Sequence, residues 1–231
     1  MSNNVNVIIP AGGVGKRFGG EMPKQYLELD GIPIIIRTIL CFEKANSISN
    51  IVVAASEDWI DYLWDKIKFY KIEKVKELLT AGKERLNSID NALKSKHLIG
   101  SDIILVHDSV RPFTSLSLIN DVITAAEEYG AAVPGLNPNE TIKSADTNND
   151  VITTLDRTKL CSIQTPQGFK HSILVKAYQN AIKNDFFGTD DSSLVERIGN
   201  KVKIIPGEQQ NIKITTPFDM TIANEIQKNI K

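Results

Sequence analysis

The alternation of short apolar runs with longer amphipathic segments predicts an α/β fold with a doubly wound, mostly parallel sheet. The apolar runs lack polar alternation, as is typical of strands that helices cover on both faces. The strand–helix pair recurs along the first part of the chain, and right-handed crossovers would place parallel strands side by side. Ligands of such sheets bind beyond the carboxyl ends of the strands, so we expect the functional residues there.

The strands and helices follow one another in order. Strands are predicted at residues 5–9, 50–55, 75–79, 102–107 and 131–134, and helices at 33–44, 58–70, 84–96 and 116–129. In the second helix, the apolar side chains recur every three or four residues and should form one buried stripe, which consists of Ile60, Leu63, Trp64, Ile67 and Tyr70.

The pattern changes after Pro134. Residues 141–145 and 151–155 are β-prone segments around the turn-rich sequence Asp-Thr-Asn-Asn-Asp, which indicates a β-hairpin. The hairpin has few large apolar residues, so we expect a projecting arm (residues 137–159) that packs on another surface, such as a second subunit. Helices are then predicted at 170–183 and 190–198, strands at 202–205 and 211–215, and a last helix with Thr216 as N-cap and Pro217 in its first position. We interpret residues 1–231 as one domain with this arm.

The composition argues against several classes of protein. With 27 basic and 28 acidic residues the formal net charge is −1, which disfavours a nucleic-acid binder. Cys41 and Cys161 are too few for a disulfide framework or a zinc site, and the histidines form no metal motif. The longest apolar runs are far shorter than the roughly 20 residues that a membrane helix needs, and no signal peptide is evident. We therefore expect a soluble, cytoplasmic protein without a membrane or nucleic-acid partner.

The segment after the first strand, Ala-Gly-Gly-Val-Gly-Lys-Arg at residues 11–17, is rich in glycine. Glycines let the backbone approach a ligand closely and let successive N–H groups point at an anion. The segment is not a Walker A loop, because Arg17 follows Lys16, and not a dinucleotide fingerprint, because Phe18 replaces the third glycine. A glycine loop with Arg17 and the nearby Lys24 suits a triphosphate; a solvated turn is the alternative.

This loop and the Pro-Lys-Gln sequence at residues 23–25 resemble the signature of nucleotidyltransferases that activate sugar phosphates and alditol phosphates. Later segments follow the order seen in cytidylyltransferases: Val-His-Asp-Ser-Val-Arg-Pro-Phe (106–113), Gln-Thr-Pro-Gln (164–167), Thr-Asp-Asp-Ser-Ser (189–193) and Asn-Ile-Lys-Ile-Thr (211–215). Over nearly its whole length the chain resembles the 2-C-methyl-D-erythritol 4-phosphate cytidylyltransferase family. The resemblance implies a Rossmann-like nucleotidyltransferase fold and transfer of CMP from CTP to this acceptor, with release of pyrophosphate, in the non-mevalonate pathway to isoprenoid precursors.

The resemblance also implies roles for individual residues. The catalytic residues that it implies are Arg17, Lys24 and Lys213. Arg17 and Lys24 would neutralise the triphosphate and stabilise a five-coordinate phosphorus. The nucleotide would be bound by Pro10, Ala11, Gly12, Gly13, Gly15, Gly82, Lys83, Ser88 and Asp108. The acceptor would be bound by Arg111, Thr141, Arg157, Thr165 and Thr189, together with Lys213. The implied cofactor is Mg²⁺, held by Asp108 and the substrate phosphates.

Thr141 and Arg157 lie on the predicted arm, which in the family reaches into the partner's site, so the resemblance implies a homodimer. Two positions depart from the family. Lys83 stands where the family usually has an acidic residue near the cytosine, so base selection here either rests on the backbone or differs. Asn139 and Glu140 precede Thr141 in place of the usual Asp-Thr pair, which affects acceptor identity more than reaction type.

Some of these polar residues also allow a purely structural interpretation. Asp108 could cap the loop after its strand and pair with Arg111. His107 is best interpreted as a packed, hydrogen-bonded histidine at the strand end. Thr189 is expected to be a helix N-cap, with Asp190 and Asp191 as acidic residues of the first turn.

Other functions remain open at this point. The nearest alternative is a cytidylyltransferase for ribitol 5-phosphate or a related alditol phosphate of wall or capsule polymers, whose family shares the motif at 107–113. Residues 156–157, 164–167 and 188–196 look more like the isoprenoid enzyme. An NAD-binding oxidoreductase and a non-catalytic nucleotide-binding module are alternatives of a different class.

Overall fold

A computed structural model describes residues 4–13 and 22–230. Within these residues, seven α-helices surround a mostly parallel sheet of eight strands, and two small two-stranded sheets lie apart from it. The strands are β1 (Val5–Ala11), β2 (Glu28–Leu29), β3 (Ile32–Pro33), β4 (Asn50–Ala55), β5 (Val75–Thr80), β6 (Ile103–Val106), β7 (Ala131–Leu136), β8 (Lys143–Ala145), β9 (Val151–Thr154), β10 (Ser162–Ile163), β11 (Gln167–Lys170) and β12 (Lys203–Pro206). The helices are α1 (Ile34–Glu43), α2 (Ile60–Phe69), α3 (Arg85–Leu93), α4 (Leu116–Tyr129), α5 (His171–Lys183), α6 (Asp191–Arg197) and α7 (Pro217–Ile230).

The main sheet confirms the predicted fold class. Its strand order is β10-β7-β11-β6-β1-β4-β5, and β12 pairs with β7. Strands β6, β1, β4 and β5 run parallel to one another, and β12 runs parallel to β7. Strand β11 is antiparallel to both of its neighbours, β6 and β7.

The core lies on both faces of the sheet because side chains alternate along a strand. Val7 and Ile9 of β1 point to a cluster built with α1, α2 and α4, whereas Ile8 points to a second cluster built with α3, α5 and α6. All three are fully buried. Burial on both faces explains the lack of polar alternation in these strands. The stripe predicted for α2 is confirmed, since Leu63 and Ile67 are buried and the other members pack against the first cluster.

One predicted strand is absent, and four of the strands that the structure shows, β2, β3, β10 and β11, were not predicted. Residues 211–215 do not form a strand, because the backbone carbonyl of Asn211 accepts hydrogen bonds from the side chains of Arg111 and Gln164. Strand β11 was not predicted, since Phe169 is its only large apolar residue. Its Gly168 lies so close to α4 that an added Cβ would be 2.7 Å from Val122 Cγ1.

The predicted hairpin is present as β8 and β9, which pair only with each other. The Asp146 carboxylate accepts hydrogen bonds from the N–H groups of Asn148 and Asp150 in the turn. Most of the strand side chains are exposed, including the apolar Val151 and Ile152, which are 59% and 67% exposed. The last helix begins as predicted, with Thr216 Oγ1 accepting a hydrogen bond from the N–H of Asp219 at 3.3 Å. In the part of the chain that the structure describes, no helix has both the length and the hydropathy to cross a membrane.

Candidate active site

A cleft of about 530 Å³ opens beyond the carboxyl ends of β1, β5 and β6. The loop after each of these strands supplies part of its wall, as expected for a doubly wound sheet. Its lining includes Pro10, Gly12, Gly13, Lys24, Gly82, Lys83, Ser88, Asp108 and Lys213. The fold therefore brings most of the residues predicted for the nucleotide into one cleft.

The glycines of the wall are close to neighbouring backbone and side chains. A Cβ built on Gly12 would lie 2.2 Å from Ala81 Cβ, and one built on Gly82 would lie 2.4 Å from Asn87 Cβ. No side chain fits at either position without moving the loop. The N–H of Gly82 donates to Ser88 Oγ at 3.0 Å, and that hydroxyl donates to the Glu84 carbonyl at 3.0 Å, so Ser88 fixes the loop before α3.

Three other residues were predicted around this loop: Ala11, Gly15 and Arg17. Gly15 and Arg17 lie outside the residues that the structure describes. Ala11 is 2% exposed at the end of β1, and its carbonyl accepts a hydrogen bond from Gln25 Nε2 at 2.7 Å. Ala11 does not line the cleft, and its carbonyl connects the end of β1 to Gln25, which does.

Asp108 follows β6 and is the centre of a charged cluster. Its Oδ2 atom lies 3.1 Å from Lys213 Nζ and 3.2 Å from Arg111 Nε. Burial would raise the pKa of this carboxyl group, but the charges of Lys213 and Arg111 outweigh burial and hold the pKa well below its ordinary value. The pairing with Arg111 that the sequence suggested is present, and Lys213 is a second partner.

His107 is a packed residue, as predicted. It is fully buried, its Nε2 lies 3.1 Å from the Arg111 carbonyl oxygen, and its Nδ1 lies 3.0 Å from Thr165 Oγ1. Burial lowers its pKa to about 4, so the imidazole is neutral at physiological pH. Thr165 Oγ1 also accepts a hydrogen bond from the N–H of Asp108 at 3.1 Å, and through it His107 supports the loop that carries Asp108.

A second cavity of about 490 Å³ adjoins the first. Arg85, Asp108 and Lys213 line both cavities and form the wall between them. The second cavity is further lined by Arg111, Thr165 and Thr189, all of them predicted acceptor residues. The arrangement is that of two adjoining binding spaces, with charged side chains where they meet.

The Arg85–Asp191 ion pair was not predicted from the sequence. Arg85 Nη1 and Nη2 donate to Asp191 Oδ1 and Oδ2 at 2.8 and 2.6 Å, and Tyr178 Oη donates to Asp191 Oδ1 at 2.5 Å. Burial would lower the pKa of Arg85, but the buried Asp191 carboxylate raises it. The N-cap of α6 is Asp190 and not the predicted Thr189, because the Asp190 carboxylate accepts the N–H of Ser193; Asp191, in the first turn, is fully buried.

The predicted acceptor residues of the arm lie elsewhere. Thr141 and Arg157 are exposed and line neither cavity, and Arg157 Nη1 donates to the Asn139 carbonyl at 2.7 Å. A single chain therefore does not bring them to the cleft. Lys83 is exposed at the rim, next to Glu84.

The charges of the cleft are suited to bound phosphate. Lys24, Lys83, Arg85 and Lys213 line the first cavity, together with Glu84 and Asp108. Among the described residues, no group of three or more His, Cys, Asp or Glu side chains could enclose a metal ion. Asp108 offers a single ionised carboxylate, which fits a divalent cation held mainly by substrate phosphates.

The chain is similar to proteins of one family. The family model described as IspD, 2-C-methyl-D-erythritol 4-phosphate cytidylyltransferase, matches residues 5–229. The protein of that name from Bacillus cereus is 42% identical over 217 residues, which cover 94% of this chain and 95% of the relative. The one from Clostridium beijerinckii is 41% identical over 226 residues, covering 98% and 99%.

Solved structures agree with the sequence comparison. The crystal structure of 4-diphosphocytidyl-2C-methyl-D-erythritol synthase from Anaerococcus prevotii has a TM-score of 0.86 and 29% identity, covering 98% of this chain and 97% of that one. The structure of 2-C-methyl-D-erythritol 4-phosphate cytidylyltransferase from Thermus thermophilus has a TM-score of 0.77 and 28% identity, covering 96% and 98%.

Proposed function

The chain belongs to the 2-C-methyl-D-erythritol 4-phosphate cytidylyltransferase family, and we propose that its two adjoining cavities transfer the cytidylyl group of CTP to 2-C-methyl-D-erythritol 4-phosphate. An oxygen of the acceptor phosphate attacks the α-phosphorus of CTP, a new P–O bond forms, and the bond to pyrophosphate breaks. The observation that carries this proposal is the wall of Arg85, Asp108 and Lys213, which two phosphates in neighbouring cavities would both face. None of the relatives reported above is named for ribitol 5-phosphate or for NAD.

The first cavity binds CTP. Backbone N–H groups of the loop at Gly12–Gly13 face the nucleotide, whereas the N–H of Gly82 is held by Ser88 Oγ and Gly82 shapes the wall of the cavity. Lys24 and Arg17, the latter from the glycine-rich segment at residues 11–17, neutralise the triphosphate. They also stabilise the charge that spreads over the phosphorus during attack. Ser88 fixes the Gly82 loop, and Lys83 lies at the rim where it contributes to the choice of base.

The second cavity binds the acceptor phosphate. Lys213 and Arg111 supply positive charge, and the guanidinium of Arg111 can bind two phosphate oxygens at once. Thr189 adds a hydroxyl group to this cavity, whereas the hydroxyl of Thr165 is held by His107 and by the N–H of Asp108 and supports the loop that carries Asp108. Held in this way, the acceptor oxygen lies next to the α-phosphorus, and positioning of this kind supplies a large part of the rate enhancement.

Magnesium is the cofactor that this site fits. Asp108 is ionised and hard, and Mg²⁺ is commonly bound by one or two carboxylates and by substrate phosphates. When bound, the ion would neutralise charge on the triphosphate. The Asp108 carboxylate would hold the ion, and the ammonium group of Lys213 would remain beside that carboxylate.

A homodimer completes the site in this proposal. Thr141 and Arg157 lie on an arm that is exposed and rich in polar residues, with Val151 and Ile152 as an apolar patch. Packing of the arm against a second copy would bury this patch and bring its Arg157 to the acceptor phosphate of the partner.

Substitution of Lys24 tests the assignment of the first cavity. Lys24→Ala should lower kcat by about a hundredfold, because it removes one preorganised contact to the phosphorus that is attacked. Pyrophosphate release with CTP and 2-C-methyl-D-erythritol 4-phosphate is the measurement, and circular dichroism checks that the fold is intact. Lys228→Ala, at an exposed lysine of α7, is the matched control. Turnover unchanged in Lys24→Ala would remove Lys24 from the mechanism.

A further inference from the structure

We infer that Gln25, with Ser56, is a positioning residue that orients the backbone N–H groups of Gly12 and Gly13 toward the nucleotide phosphates and fixes Lys24 beside them. This inference rests on the proposed function of the first cavity. It concerns two side chains to which neither the motifs nor the comparisons give a role.

The carbonyl groups of three consecutive residues are held by side-chain donors from outside the loop. Gln25 Nε2 donates to the carbonyl oxygens of Ala11 and Gly13, at 2.7 and 2.9 Å. Ser56 Oγ donates to the carbonyl oxygen of Gly12 at 3.2 Å. Gln25 is 2% exposed, so its two hydrogen bonds are largely shielded from water.

Fixing these carbonyls fixes the N–H groups as well. In a planar trans peptide, the C=O of one residue and the N–H of the next point in opposite directions. Holding the Ala11 carbonyl therefore turns the N–H of Gly12 to the other side, and holding the Gly12 carbonyl does the same for Gly13. Both glycines line the cleft, where N–H groups with a fixed direction can bind a phosphate.

The same contacts position Lys24. Gln25 is the next residue in a 3-10 turn, Lys24–Tyr26, and Lys24 lines the cleft. The ring of Tyr26 stacks on the ring of Trp59 at 4.2 Å between centroids. The backbone N–H of Trp59 donates to the Ser56 carbonyl at 2.9 Å. Gln25 and Ser56, which donate to the glycine loop, therefore belong to one packed unit. Loss of either donor should shift both the loop and Lys24.

A primary amide is the group that this geometry requires. One –NH₂ carries two hydrogens and can donate to two carbonyls at once, whereas neither a glutamate carboxylate nor a methionine thioether can donate. Gln25→Met keeps the length of the side chain and removes both donors. Ser56→Ala removes one donor from a residue whose side chain makes no cap hydrogen bond to the turn that follows.

The test uses the full-length protein with steady-state kinetics, calorimetric titration of CTP and thermal unfolding. We expect Gln25→Met to lower kcat/KM for CTP by about a hundredfold and Ser56→Ala by about tenfold, since buried carbonyls lose their donors. In both variants the KM for the acceptor should stay within about twofold of the wild-type value, and CTP should bind more weakly. The matched control is Gln227→Met, at a half-buried glutamine of α7 that accepts a hydrogen bond from Arg37, and its kinetics should equal the wild type.

Equal losses in CTP and acceptor binding, or unchanged CTP binding in both variants, would overturn the inference. If Gln25→Met does not fold, Ser56→Ala alone decides, and an unaltered KM and kcat in that variant would overturn it. The proposed function is tested separately by the wild type in the same assay, because a wild type without turnover contradicts that function whatever the variants do.

Discussion

Asp108 is the residue on which the charges of the cleft converge. Its carboxylate contacts both Lys213 and Arg111, and it lies in the wall that separates the two cavities. The chain as a whole is nearly neutral, with 27 basic and 28 acidic residues, yet the first cavity is lined by four basic residues and two acidic ones. The net charge of the chain therefore says little about the anions that it binds.

The buried His107 should make stability depend on pH. Its pKa is lowered from 6.5 to about 4 in the folded protein, so between these values the unfolded chain binds a proton that the folded chain does not. Stability should fall as the pH decreases through this window, by at most about 1.4 kcal/mol per pH unit from this residue. Urea unfolding of the wild type and His107→Gln between pH 7 and pH 5 measures the effect, and the variant should lose less stability on acidification.

The control for this prediction is His97→Gln, at a partly exposed histidine remote from the cleft. In His97→Gln the free energy of unfolding should change with pH as steeply as in the wild type. Equal slopes for the wild type and His107→Gln would contradict the prediction.

Individual site residues were predictable only where a sequence motif carried them. Asp108, Arg111 and Thr165 stand in contiguous segments, and the fold brings them to one wall. Arg85 and Asp191 are 106 residues apart, and nothing in either local sequence signals that they pair. Gln25 does stand in the Pro-Lys-Gln motif, but the motif does not show which carbonyl groups its amide contacts.

Helices α3 and α6 are joined at their N-termini by the Arg85–Asp191 ion pair. Helix α3 carries Ser88 of the first cavity, and the N-cap of α6 follows Thr189 of the second. The ion pair therefore links the elements that frame the two binding spaces.

Asp191→Asn should destabilise the protein. It removes the negative charge opposite Arg85 and replaces one carboxylate oxygen with an –NH₂ group that cannot accept a hydrogen bond; because the Arg85 side chain is partly exposed, we expect a loss of roughly 2 kcal/mol in the free energy of unfolding, below the range for fully buried pairs. Unfolding in urea measures it, and kcat/KM should fall for both substrates. Asp90→Asn, which breaks the exposed Lys94–Asp90 pair of α3, should change stability by less than about 0.5 kcal/mol. A variant Asp191→Asn as stable as Asp90→Asn would contradict this role.

The sequence patterns predicted elements well where periodicity was strong. Helix α4 has the predicted bounds, and the first four parallel strands were found to within two residues at each end. The hairpin of β2 and β3 was missed, although Asp30-Gly31 between Leu29 and Ile32 is a typical turn signal, and both turn residues have positive φ angles of 51° and 72°. Strand β11 could not be found in this way, because its stability comes from pairing with β6 and β7 and not from its own sequence.

For the molecule as a whole, we propose that the arm belongs to the acceptor site of a second chain. Thr141 and Arg157 lie outside both cavities, and the apolar side chains of β9 are exposed. Sequence patterns predicted the hairpin but could not show what covers it, because the contacts that would bury Val151 and Ile152 are between chains in our proposal.

Ile152→Glu should dissociate the proposed dimer, because it places a charge in the apolar patch of the arm. Light scattering after size-exclusion chromatography should show a dimeric wild type and a monomeric variant, and kcat/KM for the acceptor should fall by tenfold or more, as expected when about 1.4 kcal/mol of binding is lost. Phe69→Glu, at a 75% exposed side chain of α2, is the control and should remain dimeric and active. A monomeric, fully active wild type would contradict the role of the arm.

The proposed transfer of the cytidylyl group is tested most directly by pyrophosphate release from the purified wild type with CTP and magnesium. The release is measured separately with 2-C-methyl-D-erythritol 4-phosphate and with ribitol 5-phosphate as acceptor. We predict a kcat/KM at least about tenfold higher for 2-C-methyl-D-erythritol 4-phosphate, since discrimination between acceptors is set by how well each is held for attack. Equal or faster turnover with ribitol 5-phosphate, or no release with either acceptor, would contradict it.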